Sequence, residues 1–218
     1  MNRTLLHLFP IPISLYNFGK SNHELNINLV RDTLDCFSNT DSIKRSNMGG
    51  WHSPSDMEAK YESFDLLREQ IQESADIYCE DYGFKKGSKI KYLWANLNQS
   101  GDMNVGHDHP RSTLTGVYYP VQNIIDDNCT FNYKENTSLL PGICDKEDGG
   151  SIYFQDPSLG LKCALEETEE RTAFNSSTYY THPVSGLLII FPSYLIHTVT
   201  PFRKKMKRIS ISFTANYE

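Results

Sequence analysis

From Arg208 to Phe213 the chain alternates polar and apolar residues, Arg-Ile-Ser-Ile-Ser-Phe, the period-two pattern of a strand with two unlike faces. Runs rich in Val, Ile, Tyr, Phe and Thr predict strands over 90–98, 113–119, 151–155, 177–181, 186–191 and 208–215. The front of the chain follows a different period. Leu25, Leu29, Leu34 and Phe37 fall at mostly helical spacing and predict a helix over 22–37. A second helix is predicted over 55–82, where Phe64, Leu67, Ile71, Ala75 and Tyr78 make one stripe. Ser55 with Glu58 three residues on has the form of a capping box, and Gly83 stands where a helix stop belongs. The polar stretch 123–149 is long for a plain loop, and loops of that length often serve as lids or binding elements.

A helical front followed by many short strands predicts an α+β, mainly β fold: a jelly-roll or cupin-like core with N-terminal helices packed on one sheet. With 218 residues the chain reads as one domain, 1–88 supplying a strand and helices as support and 89–218 the core with the insert 123–149. There is no internal repeat.

Composition narrows the setting. The hydrophobic fraction is 39%, the mean hydropathy is −0.49, and the longest apolar run, 187–191, is far too short to span a bilayer. The first eighteen residues lack a basic start leading into a continuous apolar stretch, so no signal peptide is expected. Five cysteines, an odd number without a Cys-x-x-Cys pair, fit a reduced, cytoplasmic setting. The net charge of −6 argues against a general nucleic-acid surface. Arg203, Lys204, Lys205 and Lys207 read as a solvated turn, whereas Arg208 begins a strand.

The candidate chemistry lies in His107-x-His109 and, far downstream, His197 and Arg208. Residues i and i+2 of a strand share a face, so both imidazoles of the pair can reach one metal while Asp108 points away. His197, from a distant strand, would close a triangle of ligands. Neutral imidazole suits Fe, Zn and Cu alike. An arginine near an open coordination site is suited to hold a carboxylate. His7, His23 and His182 have no such company and read as structural or surface residues.

Longer motifs accompany these residues: Gly101-x-x-Asn104-x-x-His107-x-His109-Pro110, Leu114-Thr115-Gly116-Val117-Tyr118-Tyr119, Gly149-Gly150-Ser151-Ile152-Tyr153-Phe154, and the run from Gly186 through Pro192-Ser193 to His197-Thr198-Val199-x-Pro201 and Arg208-x-Ser210. In order and spacing the segment 101–217 resembles the catalytic core of the 2-oxoglutarate- and Fe(II)-dependent oxygenases. It is most similar to a bacterial and phage branch, with prolyl 4-hydroxylases as more distant relatives. The resemblance implies a double-stranded β-helix and an oxidoreductase that binds Fe(II), consumes 2-oxoglutarate and dioxygen, and hydroxylates a substrate. It assigns His107, His109 and His197 to the metal, Arg208 to the distal carboxylate of 2-oxoglutarate, and Ser210 to the same group as a hydroxyl donor. Asn98 falls where relatives often place a tyrosine that touches the cosubstrate. Gly49-Gly50-Trp51-His52-Ser53 resembles the helical front of that branch, with Trp51 either at the site rim or in the packing.

One position departs from the family pattern, because His109 stands where relatives carry Asp or Glu. Three neutral ligands leave the metal its full positive charge, and a dianionic cosubstrate then binds at least as well electrostatically. Two other classes stay open: a three-histidine zinc hydrolase or lyase, and a non-enzymatic cupin-like module that binds a sugar or an acid. The zinc enzyme leaves Arg208-x-Ser210 unexplained, and the binding module would take up its ligand without consuming oxygen. A prolyl residue, a free amino acid, another protein side chain and a small metabolite all remain open as substrate, and the oligomeric state is not legible.

Overall fold

A computed structural model describes residues 10–84, 87–121, 124, 148–158 and 176–218. Its elements run in chain order as β1 (Ser14–Asn17), α1 (His23–Asn39), β2 (Asn47–Met48), β3 (Trp51–His52), α2 (Met57–Lys60), α3 (Glu62–Asp81), β4 (Ser88–Asn98) and β5 (Met103–His107). Then follow β6 (Leu114–Tyr119), β7 (Ile152–Gln155), β8 (Thr178–Thr181), β9 (Leu187–Pro192), β10 (His197–Val199) and β11 (Arg208–Tyr217). The polar insert 123–149 lies outside the described residues, apart from Ile124, Asp148 and Gly149.

The strands form two antiparallel sheets, one of six strands in the order β1-β9-β6-β11-β4-β3 and one of five in the order β2-β5-β10-β7-β8. Alternation along each strand divides the six-stranded sheet into two faces. On one face Leu93, Ala95 and Leu97 of β4, Leu114 and Tyr118 of β6, and Ile209, Ile211 and Phe213 of β11 join a buried cluster with Leu29 and Val30 of α1 and Phe64, Leu67 and Ile71 of α3. Polar contacts cross the same layer: the Tyr118 hydroxyl donates to Asn26 Oδ1 at 2.7 Å and accepts from Asn22 Nδ2 at 3.1 Å. On the other face Val117, Tyr119, Leu187, Ile189 and Phe191 meet Ile152 and Phe154 of the five-stranded sheet in a second cluster.

The predicted helix over 55–82 is two helices, separated by Tyr61 in extended backbone at φ −128°, ψ 124°. Tertiary contacts hold the break. The Ser55 carbonyl accepts from the Leu93 amide of β4, the Tyr61 hydroxyl donates to Asp35 of α1 at 2.7 Å, and Met57 is fully buried. No side-chain cap starts either segment, so the Ser55–Glu58 pattern does not act as a capping box. The short strands β1, β2, β3 and β10 carry little periodicity and are held by their neighbours' ladders. Among the described residues no helix is long and apolar enough to cross a membrane.

Candidate metal and cosubstrate site

His107 ends β5, and His197 opens β10 directly opposite it in the ladder. His109 lies just beyond the strand end, with its amide donating to the Ser193 carbonyl at 3.0 Å. The strand therefore stops two residues earlier than an i, i+2 pair on a single strand requires, and the bond to Ser193 returns His109 to the same side. The three rings meet with centroids 5.1, 4.3 and 5.2 Å apart. A ligand nitrogen from each lies within 4.8 Å of the others. Asp108 is not in this cluster and lines the cavity at its exposed edge.

Hydrogen bonds set the ring tautomers. His107 Nδ1 faces the Val105 carbonyl at 2.7 Å and His197 Nδ1 the Leu195 carbonyl at 2.9 Å. A carbonyl only accepts, so each Nδ1 carries the proton and each Nε2 keeps a lone pair, the form a metal ligand needs. The Ser46 hydroxyl lies 3.3 Å from Nε2 of His107. Burial is the first cause holding all three rings neutral: it lowers the His107 pKa, takes His109 down to about 4 and His197 down to about 3. Neighbouring imidazoles push the last two the same way. Around His197 the low-dielectric wall is aromatic, with Phe191 at 4.9 Å and Phe154 at 6.3 Å between ring centroids.

These shifts fix the acid behaviour of the metal-free protein. An unfolded histidine titrates near the ordinary value of about 6.5, and the folded rings of His109 and His197 only at about 4 and about 3. Below about 6.5 the unfolded chain binds more protons, so stability present above that pH is lost as pH falls toward the folded values. Urea denaturation of the metal-free protein at a series of pH values is expected to show this loss between pH 6.5 and 4. A midpoint flat over that window would contradict the burial of the cluster.

Arg208 opens β11 and is 1% exposed, the largest fully buried side chain among the described residues. Its Nη1 donates to Asn98 Oδ1, its cross-strand partner, at 3.3 Å. Its Nε and Nη2 have no hydrogen-bond partner. The guanidinium carbon lies 5.1 Å from the centre of the Tyr119 ring, whose buried hydroxyl is near enough to favour the arginine's charge but makes no hydrogen bond of regular geometry with it. Burial pulls the Arg208 pKa down, but from an ordinary value so high that the group stays charged at neutral pH. A buried cation with two unpaired donors costs several kcal/mol unless an anion answers it, so this guanidinium is suited to receive one.

The cavity of about 760 Å³ lies between the sheets and is lined by the three histidines, Arg208, Ser210, Asn96 and Trp94, among others. Asn98, expected at the cosubstrate, is held against Arg208 by its hydrogen bond and is not among the residues lining the cavity. Asn96, two residues earlier on the same face of β4, lines it. Trp51 packs edge-on against Phe37 at 5.7 Å in the helix-side cluster, so it has the packing role. Its neighbour His52 faces the cavity and stacks on Trp94 at 5.6 Å, and Trp94 lies 5.9 Å from His109. His52 went unmarked in the sequence because its only signal was the one-residue offset from Trp51. His182 lies away from this cavity, near Ser151.

The family described as "Putative 2OG-Fe(II) oxygenase" matches residues 92–214, more than half of the chain, with His107, His109, His197, Arg208 and Ser210 inside the match. The chain belongs to this family. Its members are oxidoreductases that require Fe(II) and 2-oxoglutarate. No curated protein matches in a sequence search. Solved structures with similar folds include a Pseudomonas putida prolyl-4-hydroxylase, 13% identical with a TM-score of 0.62 over 95% of this chain and 94% of that one. A Trichoplax adhaerens prolyl hydroxylase in complex with a hypoxia-inducible-factor peptide is 14% identical, with a TM-score of 0.59 over 94% and 83%. HygX from Streptomyces hygroscopicus, with nickel, 2-oxoglutarate and hygromycin B bound, is 12% identical, with a TM-score of 0.56 over 95% and 83%.

Proposed function

We propose that the chain is a single-domain Fe(II)- and 2-oxoglutarate-dependent dioxygenase that hydroxylates a small molecule or peptide. The fold is then a double-stranded β-helix whose N-terminal helices, within 1–88, support the six-stranded sheet. His107, His109 and His197 would hold Fe(II). Arg208 would take the distal carboxylate of 2-oxoglutarate, with Ser210 as a further donor. The observation that carries this reading is the buried guanidinium of Arg208, with two donors unpaired beside a cavity that also holds three neutral imidazoles. A zinc hydrolase has no use for that cation, and a passive acid-binding module would bind its ligand without consuming dioxygen.

When bound, Fe(II) and 2-oxoglutarate together supply oxidation of a C–H bond with dioxygen, releasing succinate and CO₂. The chain supplies geometry. Nδ1 bonds to Val105 and Leu195 fix two imidazole planes so that their lone pairs converge. Asn98 fixes the fork of Arg208, so that its free donors present a defined face to a carboxylate. Phe154 and Phe191 exclude water behind His197. In place of the usual carboxylate ligand, His109 brings no negative charge, and the metal keeps its full attraction for the dianionic cosubstrate.

Anaerobic titration with Fe(II) and then 2-oxoglutarate tests the reading. A visible charge-transfer band that needs both, followed by oxygen-dependent succinate release, is the expected result. Tight zinc binding with no effect of 2-oxoglutarate would overturn it.

Gly150 provides a more local test of the cosubstrate site. It sits at φ +69°, and a Cβ there would meet Arg208 Cδ at 3.0 Å and Nε at 3.1 Å. Gly150→Ala is therefore expected to displace the guanidinium and raise the KM for 2-oxoglutarate roughly tenfold or more, since misplacement by about 1 Å costs on the order of that or greater. Iron affinity, measured by dialysis, should barely change.

A further inference from the structure

The cavity wall carries a second set of cations that the cosubstrate does not use. Arg45, Lys91 and Arg111 line it in addition to Arg208, four positive side chains in all against one acid, Asp108. That balance opposes the −6 charge of the whole chain. Lys91 and Arg111 stand together, since the Lys91 ammonium donates to the Arg111 carbonyl at 3.2 Å. Arg111 is held at φ 66°, the single non-glycine residue with positive φ among those described. Such backbone costs about 1 kcal/mol or more and persists where the surroundings enforce it. Beside them Thr214 is 4% exposed and lines the cavity, and its hydroxyl has no hydrogen-bond partner.

Register places this set away from Arg208. Thr214 lies six residues along β11, about 20 Å at strand spacing, with Tyr92 opposite it on β4 and Thr115 on β6. The metal triad faces the stretch between: His109 lies 5.9 Å from Trp94, which pairs with Ser212. A five-carbon acid anchored at Arg208 and reaching the triad leaves the Thr214 end free. Resting on the reading above, we propose that Lys91, Arg111 and Thr214 form an anion subsite for the primary substrate, and that this substrate carries a carboxylate or phosphate. The two cations concentrate anions at the mouth, and the buried hydroxyl, which has no protein partner, donates to the bound oxygen. The walls beside them are Tyr92, Trp94 and His52, apolar faces for the body of such a molecule.

The test is equilibrium dialysis of the full chain against radiolabelled inorganic phosphate at constant ionic strength, with saturating 2-oxoglutarate to fill Arg208. One saturable site is expected. In Lys91→Gln/Arg111→Asn, where asparagine tolerates the positive φ, affinity should fall at least tenfold; Arg111→Lys should restore part of it. Thr214→Val should weaken it severalfold. Both cations are exposed, so these changes spare the core. Displacement of the label by acetate at lower concentration than by methyl phosphate would mark a carboxylate substrate, and the reverse a phosphate ester. No saturable binding, equal binding in the double variant, or loss of binding in Arg208→Gln alone would overturn the proposal. If phosphate binds as expected but 2-oxoglutarate does not bind at all, the subsite stands and the oxygenase reading falls.

Discussion

Arg208→Met is expected to abolish the response to 2-oxoglutarate while leaving the ligand-free protein as stable as before, or more so. The side chain is buried with Nε and Nη2 unpaired. Each charge-assisted bond it would make to a carboxylate contributes about 1.5–3 kcal/mol. Losing two weakens 2-oxoglutarate binding by roughly a hundredfold or more, at about 1.4 kcal/mol per factor of ten. The stability effect has the other sign. A buried guanidinium with a single neutral hydrogen bond pays a desolvation cost that methionine does not, and methionine fills a similar volume. Opposing this, Asn98 Oδ1 loses its donor, at about 1–3 kcal/mol. Thermal melts with and without 2-oxoglutarate check both halves. Wild type should be stabilised by the cosubstrate and the variant should not. A variant that melts far below wild type without ligand would mean that Arg208 is a structural residue.

His197→Ala is expected to remove metal binding and, with it, all 2-oxoglutarate turnover. Outer-shell partners of a ligand already change metal affinity by roughly 10–100-fold, and His197 is one of three members of the cluster itself. The second consequence appears without metal. His197 stays neutral down to about 3 because burial disfavours its charge. Taking it away removes one source of the acid destabilisation described above, so the pH dependence between 6.5 and 4 should flatten. Metal dialysis reads the first effect and denaturation against pH the second. His23, for comparison, lies on α1 away from the site, and His23→Ala should leave metal binding unchanged.

The chemistry was legible because it is local in type. His107, His109 and His197 combine residue identity with a strand pattern, and Arg208 opens the one clean alternation in the chain. What the pattern left open was direction. On β11 the apolar residues Ile209, Ile211 and Phe213 turn to the helix-side cluster, and the polar ones, Arg208, Ser210, Ser212 and Thr214, turn inward to line the cavity. An alternating strand normally presents its polar face to solvent, and here a second sheet covers that face. The helix over 55–82 was misread at one point for a related reason. Nothing in the local stripe shows that Tyr61 bonds to Asp35 of another helix, yet that contact accompanies the break into two. Asn98 and Trp51 carry the same lesson. The sequence leaves Trp51 open between the site rim and the packing, and only the fold puts it in the helix-side packing; for Asn98 the ladder supplies what the sequence does not show, a direct bond to Arg208.

The sequence by itself determined the strands that alternate, the helical front, the four residues of the candidate site and the change from carboxylate to histidine at position 109. These follow from period, propensity and side-chain chemistry, which each residue carries wherever it is. Only the tertiary structure decided that His109 sits past the end of its strand, that His52 faces the cavity in place of Trp51, and that Lys91, Arg111 and Thr214 gather at one end of it. Those outcomes depend on register between strands far apart in the chain, and register is fixed by the ladders and the packing of both faces together.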